Sequence, residues 1–390
     1  MPIKFTGPVK PRKLKSPDPI NMPLVRDNRS TRVKADVQYY KEHGEMPRVS
    51  DPWTSISEYI TMPASAASAR GADSVTVDGD VMVIHVGDMA SGNLYFYKHD
   101  GMTWNLTETK QLNNLITGQT IFDRENGCIF VGRPTVSSTS GQTLRYDFDF
   151  STATITGAGE VCADLTSTAG LEGRQNVVYK DLQITSSPHW RQGTDYGGMI
   201  GYRLRTDPVN SRKTITHTLV DSSTYTSTAL IGYEFPNDDL LFGGSMDVDQ
   251  DRLLVAAIAS PSENSGAHAL ISVFEYDDVA ATMTEVQRIT NPYPVPGNSY
   301  RPIAVRGHGG TMLVVCTGSK EQDNANAFSI IEYTWNGTEY VQDSWYTLPA
   351  EIYTGTQARG GMMYNITMLS ETEILIPFQD STGRIMKVTK

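Results

Sequence analysis

The chain has 390 residues, of which 33 are glycine and 19 are tyrosine, and its formal net charge is −11. Abundant Gly, Thr, Tyr and Val favour strands and tight turns, and no long run has helical periodicity, which excludes a helical bundle. No segment reaches the roughly 20 apolar residues of a membrane helix, and the cysteines at 128, 162 and 316 fit neither a metal site nor a disulfide framework. The sequence therefore predicts an all-β protein with no cofactor, no metal and no membrane insertion.

Residues 1–50 differ from the rest of the chain in composition and charge. They contain seven prolines, 11 Lys and Arg and five Asp and Glu, whereas residues 51–390 contain 22 basic and 39 acidic residues. Prolines interrupt helices and sheets, and the apolar residues are too few for a separate core. We therefore expect an extended, Pro-rich basic arm over 1–50 that becomes ordered only by lying on another surface.

Two distant segments, 54–64 and 383–390, are predicted to belong to one sheet. Residues 383–390 form a strand that no further strand follows. Residues 55–64 resemble the last strand of the preceding unit, 343–350, because both run from a tyrosine through an apolar residue to Pro-Ala. An N-terminal strand in this position would close a ring of sheets and remove two unpaired edges.

Between these segments the chain repeats a unit of four short strands. The clearest copy places strands at 74–77, 81–86, 94–98 and 103–109, with Asp-Gly turns in its hairpins. The third strand and its turn recur six times at spacings of roughly 50–70 residues, near the period of propeller repeats. The sequence thus predicts a six-bladed β-propeller over 54–390, closed by an N-terminal strand. The predicted blades are 71–112, 115–165, 171–222, 243–291, 297–349 and 360–390, the last completed by 54–64.

An arginine precedes the first strand in four of the predicted blades. These residues are Arg70, Arg174, Arg301 and Arg359. In a propeller such positions converge at one mouth of the central channel, where four guanidinium groups would attract a carboxylate, sulfate or phosphate. The alternative is that each arginine bonds loop carbonyls or a nearby carboxylate, which would make the four residues structural.

Two further patterns suggest sites but are explained more simply. Asp247, Asp249 and Asp251 alternate along one predicted strand, but a calcium site needs more oxygen ligands around one point. The turn at 100–104 resembles part of the Asp-box of sialidase propellers, although its Asp is displaced and its Ser is absent, and 336–340 is the same turn elsewhere. We expect plain hairpins whose aromatic residue packs on the next blade.

Signatures of catalytic sites are missing from the sequence. It contains no Gly-x-Ser-x-Gly, no His-Glu-x-x-His and no phosphate-binding loop, and its seven histidines have no metal-ligand spacing. The prediction is a protein that is not an enzyme.

The combination of a Pro-rich arm, an irregular propeller and the turn Tyr333-Thr334-Trp335-Asn336-Gly337-Thr338 resembles the virion propellers of short-tailed bacteriophages. Within that group the chain is most similar to the tail nozzle or hub protein, which forms a six-copy ring below the portal and adaptor. The resemblance covers about 54–390 at the level of architecture, and the chain departs from it in having no large inserted domain.

The resemblance implies a structural protein of the virion tail, made in the host cytoplasm, that takes part in DNA ejection and host attachment. The implied partners are copies of the chain and other tail proteins, namely the adaptor or portal side and the fibres, contacted through 1–50, with transient contact to DNA. Two alternatives stay open. One is a glycan-binding or glycan-cleaving propeller, lectin or sialidase-like, that uses the arginine-lined mouth. The other is a head-surface decoration or fibre-anchoring protein.

Overall fold

The computed structural model describes part of the chain, within one compact unit that spans Ser50–Lys390. The described residues are 53, 55–62, 72, 74–87, 91–113, 119–137, 140–164, 175–180, 182–186, 191–192, 195–196, 199–206, 213–219, 240–259, 270–277, 282–290, 302–317, 328–348, 366–377 and 384–390. They contain 27 strands and no helix, which confirms the all-β class. The predicted arm, 1–50, lies outside them.

The strands fill six antiparallel sheets in chain order, apart from β1 (Ser55–Thr61), which belongs to the last sheet. Sheet 1 contains β2 (Ser74–Asp78), β3 (Val81–Gly87), β4 (Ser91–His99) and β5 (Trp104–Asn113). Sheet 2 contains β6 (Thr120–Asp123), β7 (Cys128–Ser137), β8 (Ser140–Asp149) and β10 (Glu160–Asp164), with β9 (Thr154–Ile155) as an additional strand beside β8. Sheet 3 contains β11 (Asn176–Tyr179), β12 (Leu182–Ser186), β15 (Met199–Thr206) and β16 (Lys213–Leu219). A small hairpin of β13 (Arg191–Gln192) and β14 (Asp195–Tyr196) lies between β12 and β15 in the chain.

The second half of the chain repeats the arrangement. Sheet 4 contains β17 (Leu240–Asp249), β18 (Arg252–Ala259), β19 (Leu270–Asp277) and β20 (Thr282–Thr290). Sheet 5 contains β21 (Pro302–His308), β22 (Thr311–Thr317), β23 (Phe328–Trp335) and β24 (Tyr340–Thr347). Sheet 6 contains β25 (Thr367–Ser370), β26 (Glu373–Pro377), β27 (Arg384–Thr389) and β1. Five sheets therefore have four strands each, and sheet 2 has five.

The packing of these sheets is that of a β-propeller. The first strand of each sheet contacts the first strand of the next, in the order β2, β6, β11, β17, β21 and β25, and β25 contacts β2 again. The first strands therefore form an inner ring, and the outer strands of the sheets form the rim: β5, β10, β16, β20, β24 and β1. The predicted propeller architecture is confirmed.

The core is divided among the interfaces between neighbouring sheets. Each strand side chain alternates between the two faces of its sheet, so every sheet contributes to two apolar clusters. One cluster joins Val81, Val83 and Phe96 of sheet 1 to Ile129 and Tyr146 of sheet 2, and corresponding clusters occupy the other interfaces. The second strands are buried on both faces, which explains their nearly continuous apolar sequences.

The predicted closure of the ring is present. Strand β1 pairs antiparallel with β27, with Ser55 opposite Thr389 and Thr61 opposite Arg384. The observed pairing spans 55–61 and 384–389, slightly less than the predicted 54–64 and 383–390. Trp53, immediately before β1, is buried in the cluster between sheets 5 and 6, so the N-terminal segment is part of the core as well as of the sheet.

Polar side chains also cross between neighbouring first strands. An inner strand exposes backbone groups at its edge, and these need partners when they are buried. At five interfaces a side chain donates to a carbonyl of the adjacent sheet: Thr76 to Thr120, Asn176 to Gln119, Tyr179 to Asp251, Arg306 to Ile366 and Thr367 to Val75. The sixth interface, between sheets 4 and 5, uses carboxylates and is described below.

Candidate functional site

The predicted anion site falls outside the described residues. Arg70, Arg174, Arg301 and Arg359 precede first strands, in connections that the structure does not describe. The anion site at the channel mouth therefore stays a prediction. The described turns lie on one face of the propeller, here called the turn face, where first strands turn into second strands and third strands into fourth strands.

On the turn face, a buried polar cluster joins sheets 4 and 5. The Tyr340 hydroxyl donates to Asp249, whose other oxygen accepts the Gly310 N–H at 3.0 Å. Arg252 lies 3.7 Å from the centre of the Trp335 ring, and its Nε is 3.4 Å from the Tyr340 oxygen. Since Asp249, Arg252 and Tyr340 are all buried and bonded to one another, the cluster fixes the two sheets relative to each other.

A second polar group lies deeper in the same interface. Arg306 is buried and donates to the Ser245 hydroxyl at 2.8 Å and to the Ile366 carbonyl at 2.5 Å, so one guanidinium connects sheets 4, 5 and 6. Asp247 accepts the Gly307 N–H at 3.0 Å. Loss of hydration raises the pKa of Asp247, and the Arg306 charge opposes that rise, while burial lowers the pKa of Arg306.

The alternating aspartates thus have a structural explanation. Ser245, Asp247 and Asp249 project from one side of β17 and accept the N–H groups of residues 305, 307 and 310 of the next sheet. Asp251 lies in the exposed turn, and its carbonyl accepts the Tyr179 hydroxyl of sheet 3. Within the described part of the chain, no group of three or more His, Cys, Asp or Glu is placed to hold a metal ion.

The two turns that resemble an Asp-box have the same structure. Asp100 accepts the N–H groups of Met102 and Thr103, both at 2.8 Å, and these bonds, with a further one from Asn105, hold the pKa of Asp100 well below its usual range. In sheet 5, Asn336 accepts corresponding bonds from Thr338 and Glu339. The aromatic residue that follows each turn, Trp104 or Tyr340, packs on the preceding sheet and not on the following one. The prediction of plain hairpins is confirmed. The aromatic residue lies between two sheets as expected, but it packs on the preceding sheet and not on the next blade.

A further polar contact ties the final sheet to sheet 5. Lys390 forms an ion pair with the buried Glu332, whose other oxygen accepts the Ser344 hydroxyl at 2.6 Å. The same ammonium lies 5.4 Å from the centre of the Trp53 ring. Trp53 and Lys390, which lie near the two ends of the described chain, are therefore both held at the interface between sheets 5 and 6. Sequence reasoning missed this contact because the three partners are far apart in the chain.

Comparisons with known proteins identify no family for this chain. No family model and no curated protein matches the sequence. Among solved structures, the chain is similar to an oxidoreductase described as a glucose dehydrogenase from Thermus thermophilus, at 9% identity and a TM-score of 0.47, over 86% of this chain and 99% of that one. It is also similar to the β-propeller domain of Nup133 from Vanderwaltozyma polyspora, at 11% identity and a TM-score of 0.41, over 86% and 84% of the two chains. The β-propeller domain of the Trilobed protease from Pyrococcus furiosus has 8% identity and a TM-score of 0.36, over 82% and 96%. Likenesses at this level carry no functional conclusion.

No helix long and apolar enough to cross a membrane occurs among the described residues.

Proposed function

We propose that this chain is a non-enzymatic structural protein of a phage virion tail, of the nozzle or hub type. In this proposal a closed propeller is the rigid body, and residues 1–50 are an arm that binds other tail subunits and further copies of the chain. The observation that carries the proposal is the position of β1. As the outer strand of the last sheet, it attaches the preceding residues directly to the rim of the ring.

We further infer that the ring has six blades, one for each of the six sheets. Each first strand follows its neighbour around the inner ring without a gap in the order of contacts. The apolar clusters also divide into six groups, each of which joins two successive sheets. A closed ring of this kind leaves only short, protected sheet edges toward its centre.

The anchorage of β1 supports a mechanical role for the arm. Trp53 is buried behind the strand, the strand is paired along its length with β27, and Lys390 contacts both Glu332 and the Trp53 ring. A force applied to residues 1–50 would therefore be transmitted to two sheets and not to a single loop. This is the arrangement that an assembly component needs when its arm holds a neighbouring subunit.

The charge distribution supports an external partner for the arm. Residues 1–50 have an excess of six positive charges, while the rest of the chain has an excess of 17 negative charges. Long basic segments with few apolar residues become ordered on acidic surfaces, and ordering costs about 1–2 kcal/mol per residue in backbone entropy. The acidic propeller of a second copy offers such a surface in a ring of copies.

Limited proteolysis of the free protein and of assembled particles tests this proposal. We expect cleavage before about residue 50 in the free protein and protection of the same sites in the particle, because the arm is ordered by its neighbours. An arm that resists protease equally well in the free monomer would pack on its own propeller and would contradict an assembly role.

A further inference from the structure

The rim of sheet 1 carries the most exposed apolar residue among those described. Met102, at the tip of the β4–β5 turn, is 88% exposed, and Leu106, on the outer strand, is 44% exposed. Trp104 and Leu106 are two residues apart in β5, so their side chains lie on the same face of sheet 1, the face toward sheet 6. The other strongly exposed aliphatic residues, Val161, Val286 and Val341, are single residues on the rims of three different sheets. Sheet 1 is therefore where exposed apolar side chains are grouped.

Aromatic residues give this place a fixed shape. Trp104 is half-buried and packs edge-on against His99, with ring centres 4.9 Å apart. Its Nε1 donates to the Tyr59 hydroxyl of β1 at 3.0 Å. Tyr59 itself occurs where the pairing of β1 with β27 is interrupted. We call Tyr59, Met102, Trp104 and Leu106 the rim patch. Rigid aromatic residues beside an adaptable methionine are typical of the centres of protein interfaces.

One edge of the rim patch carries a negative charge, because Asp100 is exposed in the turn beside Met102. A partner for this surface should combine apolar side chains with positive charge, because matched charges around an apolar centre set specificity and association rate. Residues 32–41 of this chain have that composition: two valines and two tyrosines interspersed with Arg32, Lys34 and Lys41.

Trp53, the first described residue after the arm, and the rim patch lie on opposite sides of sheet 6. Trp53 belongs to the cluster between sheets 5 and 6, whereas Tyr59 belongs to the cluster between sheets 6 and 1. If the arm leaves one side of a copy and binds the other side of the next copy, the interface is head-to-tail. Such an interface produces a closed ring of copies when the rotation between successive copies divides a full turn. The 12 residues from Lys41 to Trp53 span about 40 Å at most when extended, which limits how far residue 41 can lie from the propeller of its own copy.

We propose that the rim patch is the acceptor for the basic arm, residues 1–50, of a second copy of this chain. The proposal rests on the proposed function, in which the arm mediates assembly, and it adds the surface on which the arm lies. Met102 and Trp104 provide the apolar contact, and Asp100 faces the cations of the arm.

The test uses the full-length protein and measures self-association by sedimentation velocity, together with binding of a labelled synthetic peptide of residues 1–50. The double variant Met102→Glu/Leu106→Glu should weaken both by at least tenfold, because it places charge in the apolar centre. The matched control, Val286→Glu/Val341→Glu, introduces the same charges at exposed residues on two other rims and should bind as the parent does. Asp100→Asn should weaken binding by a smaller factor and reduce its dependence on salt, and the equivalent Asn336 turn indicates that this variant keeps its fold.

The outcomes separate this inference from the proposed function. Suppose that the Met102→Glu/Leu106→Glu variant associates as the parent does, while deletion of residues 1–50 abolishes association. The arm would then bind another surface, and the inference alone would be overturned. Unchanged association after deletion of 1–50 would overturn both. Cross-linking of a mixture of isotopically labelled and unlabelled protein supplies the last check. Arm-to-patch links found solely within one copy would overturn the proposal of a second copy.

Discussion

At the scale of single residues, the propeller is held by side chains that reach from one first strand to the next. The alternation of Asp247 and Asp249 was visible in the sequence, but their partners, the N–H groups of residues 307 and 310, lie about 60 positions later. Pattern reasoning detects neighbours along the chain, whereas contacts between sheets depend on which strands the ring places side by side. The aspartates could therefore be singled out from the sequence, and their role could not.

The pKa shifts of two aspartates predict opposite pH dependences of stability. The pKa of Asp247 is raised by loss of hydration, so its contribution is largest below its unfolded pKa of about 3.9 and is lost as pH rises through the folded pKa. The pKa of Asp100 is lowered by the N–H groups of its turn, so its contribution is present above about 3.9 and is lost as pH falls through the folded pKa.

Urea unfolding of Asp247→Asn and Asp100→Asn over a pH series measures both effects. The free energy of unfolding of the parent minus that of Asp247→Asn should decrease as pH rises, and the same difference for Asp100→Asn should increase. An increase for Asp247 would mean that attraction to Arg306 outweighs the loss of hydration in the folded protein.

Close approach of two sheets makes Gly307 difficult to replace. A Cβ at this position would lie 2.5 Å from the Asp249 Cβ and 2.8 Å from Leu254 Cδ1, so one of the two sheets would have to move. We expect Gly307→Ala to lower the free energy of unfolding by about 1–3 kcal/mol. Gly157→Ala is the control, since its Cβ would meet Asp147 at 3.6 Å, an ordinary contact. Equal denaturation midpoints for the two variants would refute the steric explanation.

At the scale of strands, every outer strand pairs irregularly with its neighbour. The register shifts in all six sheets, at Phe96/Tyr97, Val161/Ala163, Tyr202/Leu204, Val273/Phe274, Glu332/Tyr333 and Glu58/Ile60. Bulges twist an edge strand and make it a poor template for pairing with another chain. Association between copies is therefore expected to use side chains and the arm, and not the addition of strands at the rim.

Many of the strands and their hairpins could be predicted from the sequence, for physical reasons. Asp-Gly turns and alternating apolar residues indicate hairpins from local sequence alone. The predicted limits of the four strands of sheet 1 are therefore close to the observed ones. The closing strand was predictable because it repeats the Tyr-to-Pro-Ala ending of 343–350. The strands β9, β13 and β14 were not predicted, since two-residue strands have too short a pattern to distinguish them from loops.

Two truncations separate the arm from the closing strand. Removal of residues 1–50 leaves Trp53 and β1 in place, so the thermal unfolding temperature should match that of the parent. Removal of residues 1–62 also deletes the buried Trp53 and exposes the edge of β27, and loss of one buried Trp alone costs about 3–5 kcal/mol. Calorimetry with light scattering should then show a much lower unfolding temperature, or aggregation. A 1–62 deletion that melts like the 1–50 deletion would refute closure by β1.

At the scale of the whole molecule, a buried polar network occupies the interface between sheets 2 and 3. Thr143, Asn176, Gln183 and Thr185 are fully buried there beside the apolar Ile121, Cys128 and Phe130, and the Thr143 hydroxyl lies 3.1 Å from Asn176 Oδ1 and 3.0 Å from the Thr185 hydroxyl. A buried hydrogen bond contributes about 0.5–1.5 kcal/mol net, whereas a buried aliphatic side chain contributes about 1.5–3 kcal/mol.

Because each of these polar side chains contributes less than a buried aliphatic side chain would, we expect the interface between sheets 2 and 3 to open first. Native-state hydrogen exchange tests this, because amides released by local opening exchange before those that need global unfolding. We expect the amides of β11 and β12 to exchange at a lower free energy than those of β17 and β21, whose interface has both an apolar cluster and the buried aspartates. The double variant Thr143→Val/Thr185→Val replaces two mutually bonded hydroxyls by methyl groups of similar shape, which is close to neutral or stabilising when both partners change. Asn176 Oδ1 loses the Thr143 donor in this variant but keeps the bond from Gln183 Nε2 at 3.1 Å. It should raise the opening free energy of β11 and β12 and leave that of β17 unchanged. Exchange that begins at β17 and β21 in the parent would show that the buried polar network does not make the interface between sheets 2 and 3 the first to open.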